Sequence, residues 1–379
     1  MTTYRIPFNR PARTGCESAY INEALASGRL SGNGPFTLRA QELLQRATGA
    51  RAALLTTSCT HALEMSAMLL ALRPGDEVIV PSFTFVSTAN AFAVHGAVPV
   101  FADCRQDTLN IDDGLIETLI SPRTRAIVVM HYGGVACEMD AIAALASRHG
   151  LAIIEDNAHG LFGTYHGRAL GTLGVLATQS FHETKNLTAG EGGALLLNDP
   201  ALLDRAQVIR EKGTNRHRFF RGLVDKYTWV DTGSNFLMSE LQAAHLCAQL
   251  ESAYAIQARR EDIWQRYHTE LASWREQNGV AAQHVPPYCE HPAHASVLIM
   301  PTPAAQQRLI AHLRERSILA VFHYLALNAS EQGRKLGGWA GQCPVAESIG
   351  DRLVRLPLFY NLTDDDQTAV IDAVTSCVV

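Results

Sequence analysis

Only four lysines stand in this chain of 379 residues: Lys185, Lys212, Lys226 and Lys335. A reaction that needs a lysine amine therefore has few candidates. Lys185 lies in Ser180-Phe181-His182-Glu183-Thr184-Lys185-Asn186, just past an apolar run and before the turn Gly190-Glu191-Gly192-Gly193. An amine in such a loop can form a Schiff base with a carbonyl; a surface lysine is the plain alternative. A second group, Glu155-Asp156-Asn157-Ala158-His159, closes the apolar run from Leu151. An acid at the end of a buried strand is costly unless paired. A cationic ring nitrogen would pair it, and so would a structural salt bridge or a helix to cap. The third group is Thr57-Ser58-Cys59-Thr60, between an apolar run and a helical stretch. Free backbone N–H groups and the helix dipole make such a place attractive to phosphate. An ordinary N-cap explains the same residues.

The elements that must position these groups alternate in type. Strands are expected at 52–56, 77–80, 98–102, 125–130, 151–155, 177–181 and 194–198. Between and after them, helices are expected at 60–72, 87–95, 112–120, 139–149 and 201–211. This is a βα series around a mostly parallel sheet, and such sheets carry their sites at the carboxyl ends of the strands. A long helix over 239–271 is expected to bridge to a smaller α+β domain. The expected division is a large domain over 1–255 and a small one over 256–379. All three candidate groups then fall at strand ends of one sheet. A phosphate site, an acid for a ring nitrogen and a lysine for an aldehyde, in that order, specify pyridoxal 5'-phosphate.

Composition narrows the rest. Net charge is -5 with no basic run, so nucleic-acid binding has no electrostatic basis. No stretch of about 18 apolar residues suggests a membrane span, and the first residues lack an apolar signal core. The eight cysteines are widely spaced without a C-x-x-C pair, so reduced thiols in a cytoplasmic protein are expected, with no disulfide or metal framework. Neither G-x-G-x-x-G after the first strand nor a P-loop is present. Charged residues make up only 18%, against a typical ~25%, which points to an unusually large interior or to surface covered by a partner.

The motifs IPFNRP (6–11), PGDEVIVPSFTFVSTANA (74–91), HYGGVACEMD (131–140), EDNAHG (155–160), SFHETKN (180–186), GEGGAL (190–195), REKGTNR (210–216) and LPLFYNLT (356–363) carry a resemblance over nearly the whole chain. It resembles the sugar-nucleotide aminotransferases of the DegT/DnrJ/EryC1/StrS family, a branch of the fold-type I pyridoxal-phosphate enzymes. The resemblance implies a three-layer α/β fold with a smaller C-terminal domain. It implies that Lys185 binds the cofactor aldehyde and shuttles the proton, and that Asp156 holds the ring nitrogen protonated. His159 would sit near the ring hydroxyl and Phe85 on the ring face. Cys59 and Thr60 would meet the phosphate with backbone N–H groups and Ser180 with its hydroxyl. Asn235 would reach the same phosphate from the neighbouring subunit, making an obligate homodimer. His323 and Tyr324 match a His-Tyr pair near the sugar.

Segments 182–186, 219–229 and 237–244 look like the family members that aminate C4 of dTDP-4-oxo-6-deoxyglucose with glutamate. Their product is dTDP-4-amino-4,6-dideoxygalactose, used in surface polysaccharide such as enterobacterial common antigen. Amination at C3, a GDP- or UDP-linked sugar, and a regulator without turnover are the alternatives. Relatives that act as dehydratases carry histidine at the lysine position. The chain departs from the family at Leu237, where an arginine is usual, so the diphosphate would fall to Arg216, Arg218, Arg221 or Lys226. The segment 291–297 is also atypical.

Overall fold

The structure, a computed structural model, describes residues 4–379. Two helices lead: α1 (Glu17–Ala26) and α2 (Pro35–Thr48). The alternating region follows with β1 (Ala52–Thr56), α3 (Cys59–Leu69), β2 (Glu77–Pro81), α4 (Ser87–Ala93), β3 (Val98–Ala102), α5 (Asp113–Ile116), β4 (Thr124–Met130), α6 (Met139–His149) and β5 (Ala152–Asp156). A small hairpin, β6 (Thr164–Tyr165) and β7 (Arg168–Ala169), precedes β8 (Leu176–Ser180) and β9 (Gly193–Leu197). Next come α7 (Leu203–Arg210), α8 (Arg216–Phe220), α9 (Glu240–Glu251) and α10 (Ala253–Glu270). The chain ends with α11 (Ala272–Gln277), β10 (Cys289–Glu290), β11 (Ser296–Ile299), α12 (Pro303–Glu315), α13 (Glu331–Lys335), α14 (Pro344–Gly350), β12 (Leu353–Leu356) and α15 (Asp364–Thr375).

The central sheet has seven strands in the order β1-β9-β8-β5-β4-β2-β3. β9 runs antiparallel to β1 and β8, and the other neighbours are parallel. Its strands read as continuous apolar runs because helices cover both faces. Alternate residues divide between the two faces of the sheet. Leu54, Val78, Val80, Val128 and Leu195 pack with Leu63 and Met65 of α3 and Phe92 of α4. Leu55 and Leu196 pack with Leu44 of α2 and Leu246 of α9, and Ile79, Ile127 and Val129 with Ile142 of α6. This is the expected three-layer α/β arrangement. A further core joins α10, α12 and α15 through Ile263, Tyr267, Leu309, Leu313, Val370 and Val374, and Ile6 belongs to it. Ile6 reaches it by pairing with Ile318.

Two expectations are corrected. The single helix over 239–271 is two helices meeting at Ser252, which has non-helical dihedrals and donates its N–H back to Ala248 and Gln249. The helix over 112–120 is one turn, Asp113–Ile116, followed by a 3-10 turn. Pro122 follows closely, and the residue before a proline disfavours helix. All eight cysteines are free, with Cys16 exposed and Cys59 partly so. Among the described residues no helix is long and apolar enough to cross a membrane.

The helices before β1 hang on one buried carboxylate. Glu240 at the start of α9 accepts N–H groups from Gly34, Phe36 and Thr37 at 3.0, 2.8 and 3.1 Å, and bonds the Thr37 hydroxyl as well. It thereby caps α2, whose own N-cap is a glycine without a side chain. Glu240→Ala leaves those donors buried and unpaired. Urea unfolding is expected to show a loss of about 3 kcal/mol, and an unchanged midpoint would refute this capping role.

Candidate active site

β8 delivers the chain into the lysine loop. Phe181 and Gly192 pair through a 2.8 Å backbone bond, and Phe181 O accepts Ala189 N–H at 2.8 Å, so the loop is closed at its base. Its tip is fixed by Asn186, which donates to Pro292 O at 2.7 Å and lies 3.0 Å from Nδ1 of His294. Lys185 sits between these anchors, and its Nζ has no hydrogen-bond partner among the described residues. Burial lowers its pKa to about 8, against the opposing influence of Cys59 and Asp156.

β5 carries both acids, and the pleat sends consecutive side chains to opposite faces. Glu155 is fully occupied. It meets Nε2 of His131 at 3.0 Å and accepts the N–H groups of Gly171, Leu173 and Gly174. It is the structural acid. Asp156 accepts only the Thr88 hydroxyl at 2.6 Å and the Ala158 N–H at 3.2 Å. Burial raises its pKa, with those two bonds opposing. A buried carboxylate in this condition lacks a cation.

The phosphate candidates lie on the same side of the sheet. Ser58 caps α3 by accepting His61 N–H at 3.1 Å, which leaves the N–H groups of Cys59 and Thr60 free. Cys59 Sγ reaches the Thr178 hydroxyl at 3.4 Å, and Thr178 is the β8 partner of Asp156. The Thr60 hydroxyl lies 2.7 Å from that of Ser87. Gly193 faces this turn so closely that a Cβ there would stand 2.3 Å from Cys59 N. Ser180, the β9 partner of Gly193, ends β8 beside it.

A cluster of rings closes the inner wall. His159 stacks on His294 with ring centres 4.0 Å apart, accepts Gly133 N–H at 3.3 Å, and has Tyr324 OH 3.3 Å from Nε2. His323 meets Tyr132 OH at 2.9 Å. Burial drives the pKa of all three histidines well below the usual range. Phe85 is 53% exposed and not part of the core, with its ring 6.1 Å from that of Tyr324. Tyr132, Thr88 and His294 were not singled out by the sequence reading. Thr88 and Tyr132 lie inside quoted motifs, and His294 inside the segment noted as atypical.

The remaining candidates lie outside the ring cluster. Asn235 is exposed, while its neighbour Phe236 accepts Thr57 N–H at 3.1 Å and is buried. Arg216, Arg221 and Lys226 are exposed; Arg216 packs over the Phe220 ring at 5.0 Å. Arg218 is held on both oxygens of Asp204, which removes it as a free cation for a diphosphate.

Free helix N–H groups, a turn with no room for a Cβ, a buried acid without an ion pair and a buried amine lowered to about 8 fit pyridoxal phosphate end to end. The class is that of lysine-dependent pyridoxal-phosphate enzymes. Within it, the chain belongs to the DegT/DnrJ/EryC1/StrS aminotransferase family, whose sequence pattern matches residues 12–375. Family members depend on pyridoxal phosphate. The chain is 35% identical over 381 residues to the spore coat polysaccharide biosynthesis protein SpsC of Bacillus subtilis, covering 98% of this chain and 97% of that one. It is similar in structure to the aminotransferase TlmJ of Streptoalloteichus hindustanus, with a TM-score of 0.90, 30% identity, and coverage of 99% and 98%. It is also similar to the PLP form of Spr1654 of Streptococcus pneumoniae, with a TM-score of 0.90, 25% identity and coverage of 98% of each.

The pH dependence of Lys185 follows from its burial. Its neutral, reactive form grows as pH rises through about 8. In stopped-flow mixing of cofactor-free protein with pyridoxal phosphate, uptake is expected to quicken up to about that pH and then level off. A rate still climbing steeply toward pH 10 would contradict the assigned environment.

Proposed function

We propose that the chain moves an amino group from glutamate to C4 of dTDP-4-oxo-6-deoxy-D-glucose. The product would be dTDP-4-amino-4,6-dideoxygalactose, for surface polysaccharide. The observation that carries amino transfer is the Lys185 amine, held in a loop closed at its base and tip, unpartnered among the described residues and near enough to Asp156 to feel its charge. That environment also weighs against a regulator without turnover, since strongly perturbed lysines cluster at catalytic sites. The sugar assignment is supported by the segments 182–186, 219–229 and 237–244, and the polysaccharide role by the likeness to the Bacillus subtilis spore coat polysaccharide biosynthesis protein.

Bound pyridoxal phosphate supplies an electron sink for the carbon that loses its proton. The protein's contributions are positional and electrostatic. Cys59 and Thr60 offer N–H groups and the positive end of α3 to the phosphate, and Ser180 adds its hydroxyl. The Asp156 carboxylate holds a proton on the ring nitrogen, which stabilises developing negative charge. Phe85 covers one ring face, and His159 stands by the ring hydroxyl. Lys185 Nζ would hold the cofactor aldehyde and would take the donor's α-proton and return it. Two substrates use the site in turn, which predicts ping-pong kinetics.

The outer parts are assigned to recognition and assembly. His323 and Tyr324 face the sugar, and Arg216, Arg221 and Lys226 serve its diphosphate. Asn235 reaches the phosphate of a second copy. Phe220, Leu223, Trp229 and Val230 are exposed, an apolar stretch of the kind that an obligate interface covers.

Incubation with dTDP-4-oxo-6-deoxyglucose and glutamate, followed by NMR of the product, is expected to show a 4-amino-galacto sugar, and Lys185→Ala is expected to abolish it. A 3-amino sugar, or turnover only with a GDP- or UDP-linked ketosugar, would replace the substrate assignment. A Lys185→Ala variant with full turnover would remove the mechanism. Sedimentation at micromolar concentration is expected to show a homodimer while active; an active monomer would refute the shared site.

A further inference from the structure

The motif at 6–11 and the motif at 356–363 lie at opposite ends of the chain, yet they meet beside the lysine loop. Phe8 packs its ring against the guanidinium of Arg355, 4.5 Å from ring centre to Cζ. The next residue, Asn9, donates from Nδ2 to Glu183 O at 2.8 Å, two residues before Lys185. Arg10 lies over the Phe359 ring at 5.9 Å. Arg355 is the third residue of β12, and its backbone pairs with Val321, two residues before His323. Arg355 therefore stands between the His323-Tyr324 pair and the loop of Lys185.

Its guanidinium has no acceptor. Nε is buried without a partner, and no ion pair or side-chain hydrogen bond joins it among the described residues. Arg210 and Arg260, both more deeply buried, share the unpartnered Nε but have acceptors for their other donors. Arg210 donates to Gln41, Asn33 and the Leu55 carbonyl. Arg260 donates to the His294 carbonyl. The ionisable groups that bear on Arg355 are the phenols of Tyr132 and Tyr324, not a carboxylate. Arg355 in turn acts on Lys185, His159, His294 and His323. The three histidines are neutral by burial, so they add no competing positive charge beside it. Phe8 fixes the plane of the guanidinium, which suits a cation whose fork must meet a planar anion.

We propose that Arg355 receives a carboxylate of the amino donor. This rests on the reading above that the donor is an amino acid such as glutamate. Chemistry selects the anion. The donor's α-carboxylate is bonded to the carbon that carries the amine, so it must lie next to the reacting nitrogen. The negative charges of a nucleotide sugar lie across the hexose ring from its reacting carbon. A cation whose field acts on the Lys185 amine meets the former. Guanidinium and carboxylate form a bidentate, charge-assisted pair, and a half-buried arginine without an acceptor gains the partner it lacks.

The test compares wild type, Arg355→Gln and Arg355→Lys. Calorimetry measures binding of glutarate, an unreactive dicarboxylate, to cofactor-free protein. Stopped-flow absorbance follows the two half-reactions of the loaded enzyme separately: glutamate with the resting form, ketosugar with the aminated form. Arg355→Gln is expected to weaken glutarate binding and raise half-saturating glutamate by about 100-fold, the scale for removing one partner of a buried charge pair. The loss in the ketosugar half-reaction should be much smaller. Arg355→Lys keeps the charge but not the fork and should fall between; it decides the matter if the glutamine variant does not fold. Equal losses in both half-reactions, or glutarate binding unaffected in a folded variant, would overturn the assignment. A wild type that binds glutarate through Arg355 but gives no colour change with glutamate would overturn the choice of donor and leave the carboxylate site standing.

Discussion

The pleat of one strand decides where chemistry can occur in this molecule. β5 ends in two consecutive acids, and its two-residue period turns them to opposite faces. Glu155 is bound by His131 and by three backbone amides, which fixes the turn at 171–174 to the sheet. Asp156 is left with a hydroxyl and one amide. A one-residue slip would exchange them: the satisfied acid would face the lysine loop and the under-satisfied one would be lost in the structural core. Register is held by β4 and β8, which flank β5 on both sides and pair Asp156 with Met130 and Thr178.

The parts of the site were legible in the sequence to different degrees. Lys185 stood out because lysine is scarce and the flanking elements are plain, an apolar strand and a glycine-rich turn. The sheet was legible because its strands are short apolar runs between turn residues, and α6 fell at 139–149 as read from its periodicity. The choice between Glu155 and Asp156 was not legible from residue chemistry alone, since both are acids at one strand end; the family resemblance selected Asp156, and partners now explain the selection. The break at Ser252 was hidden because one non-helical residue scarcely disturbs a helical pattern. Arg355 was invisible for another reason. Its meaning comes from what is missing around it, and a sequence does not display the absence of a partner.

At 219–230 several large apolar side chains stand in solvent, Trp229 among them at 76% exposure. The same stretch carries Arg221 and Lys226, with Arg216 just before it, and none of the three has an acid partner among the described residues. Arg218, tied to Asp204, fastens it to α7.

The clasp between residues 6–10 and 355–359 bears on how the protein is made. Ile6 pairs with Ile318, Phe8 stacks on Arg355, and Asn9 bonds the lysine loop. During synthesis the sheet, the α3 N-terminus and Lys185 emerge long before β12. Contacts so distant in sequence form late, because chain closure must precede them. A nascent chain thus builds the half of the pocket that faces phosphate and ring nitrogen first. The wall carrying His323, Tyr324 and Arg355 arrives only with the last segment off the ribosome, so a truncated product leaves Lys185 open to water, without the burial that lowers its pKa.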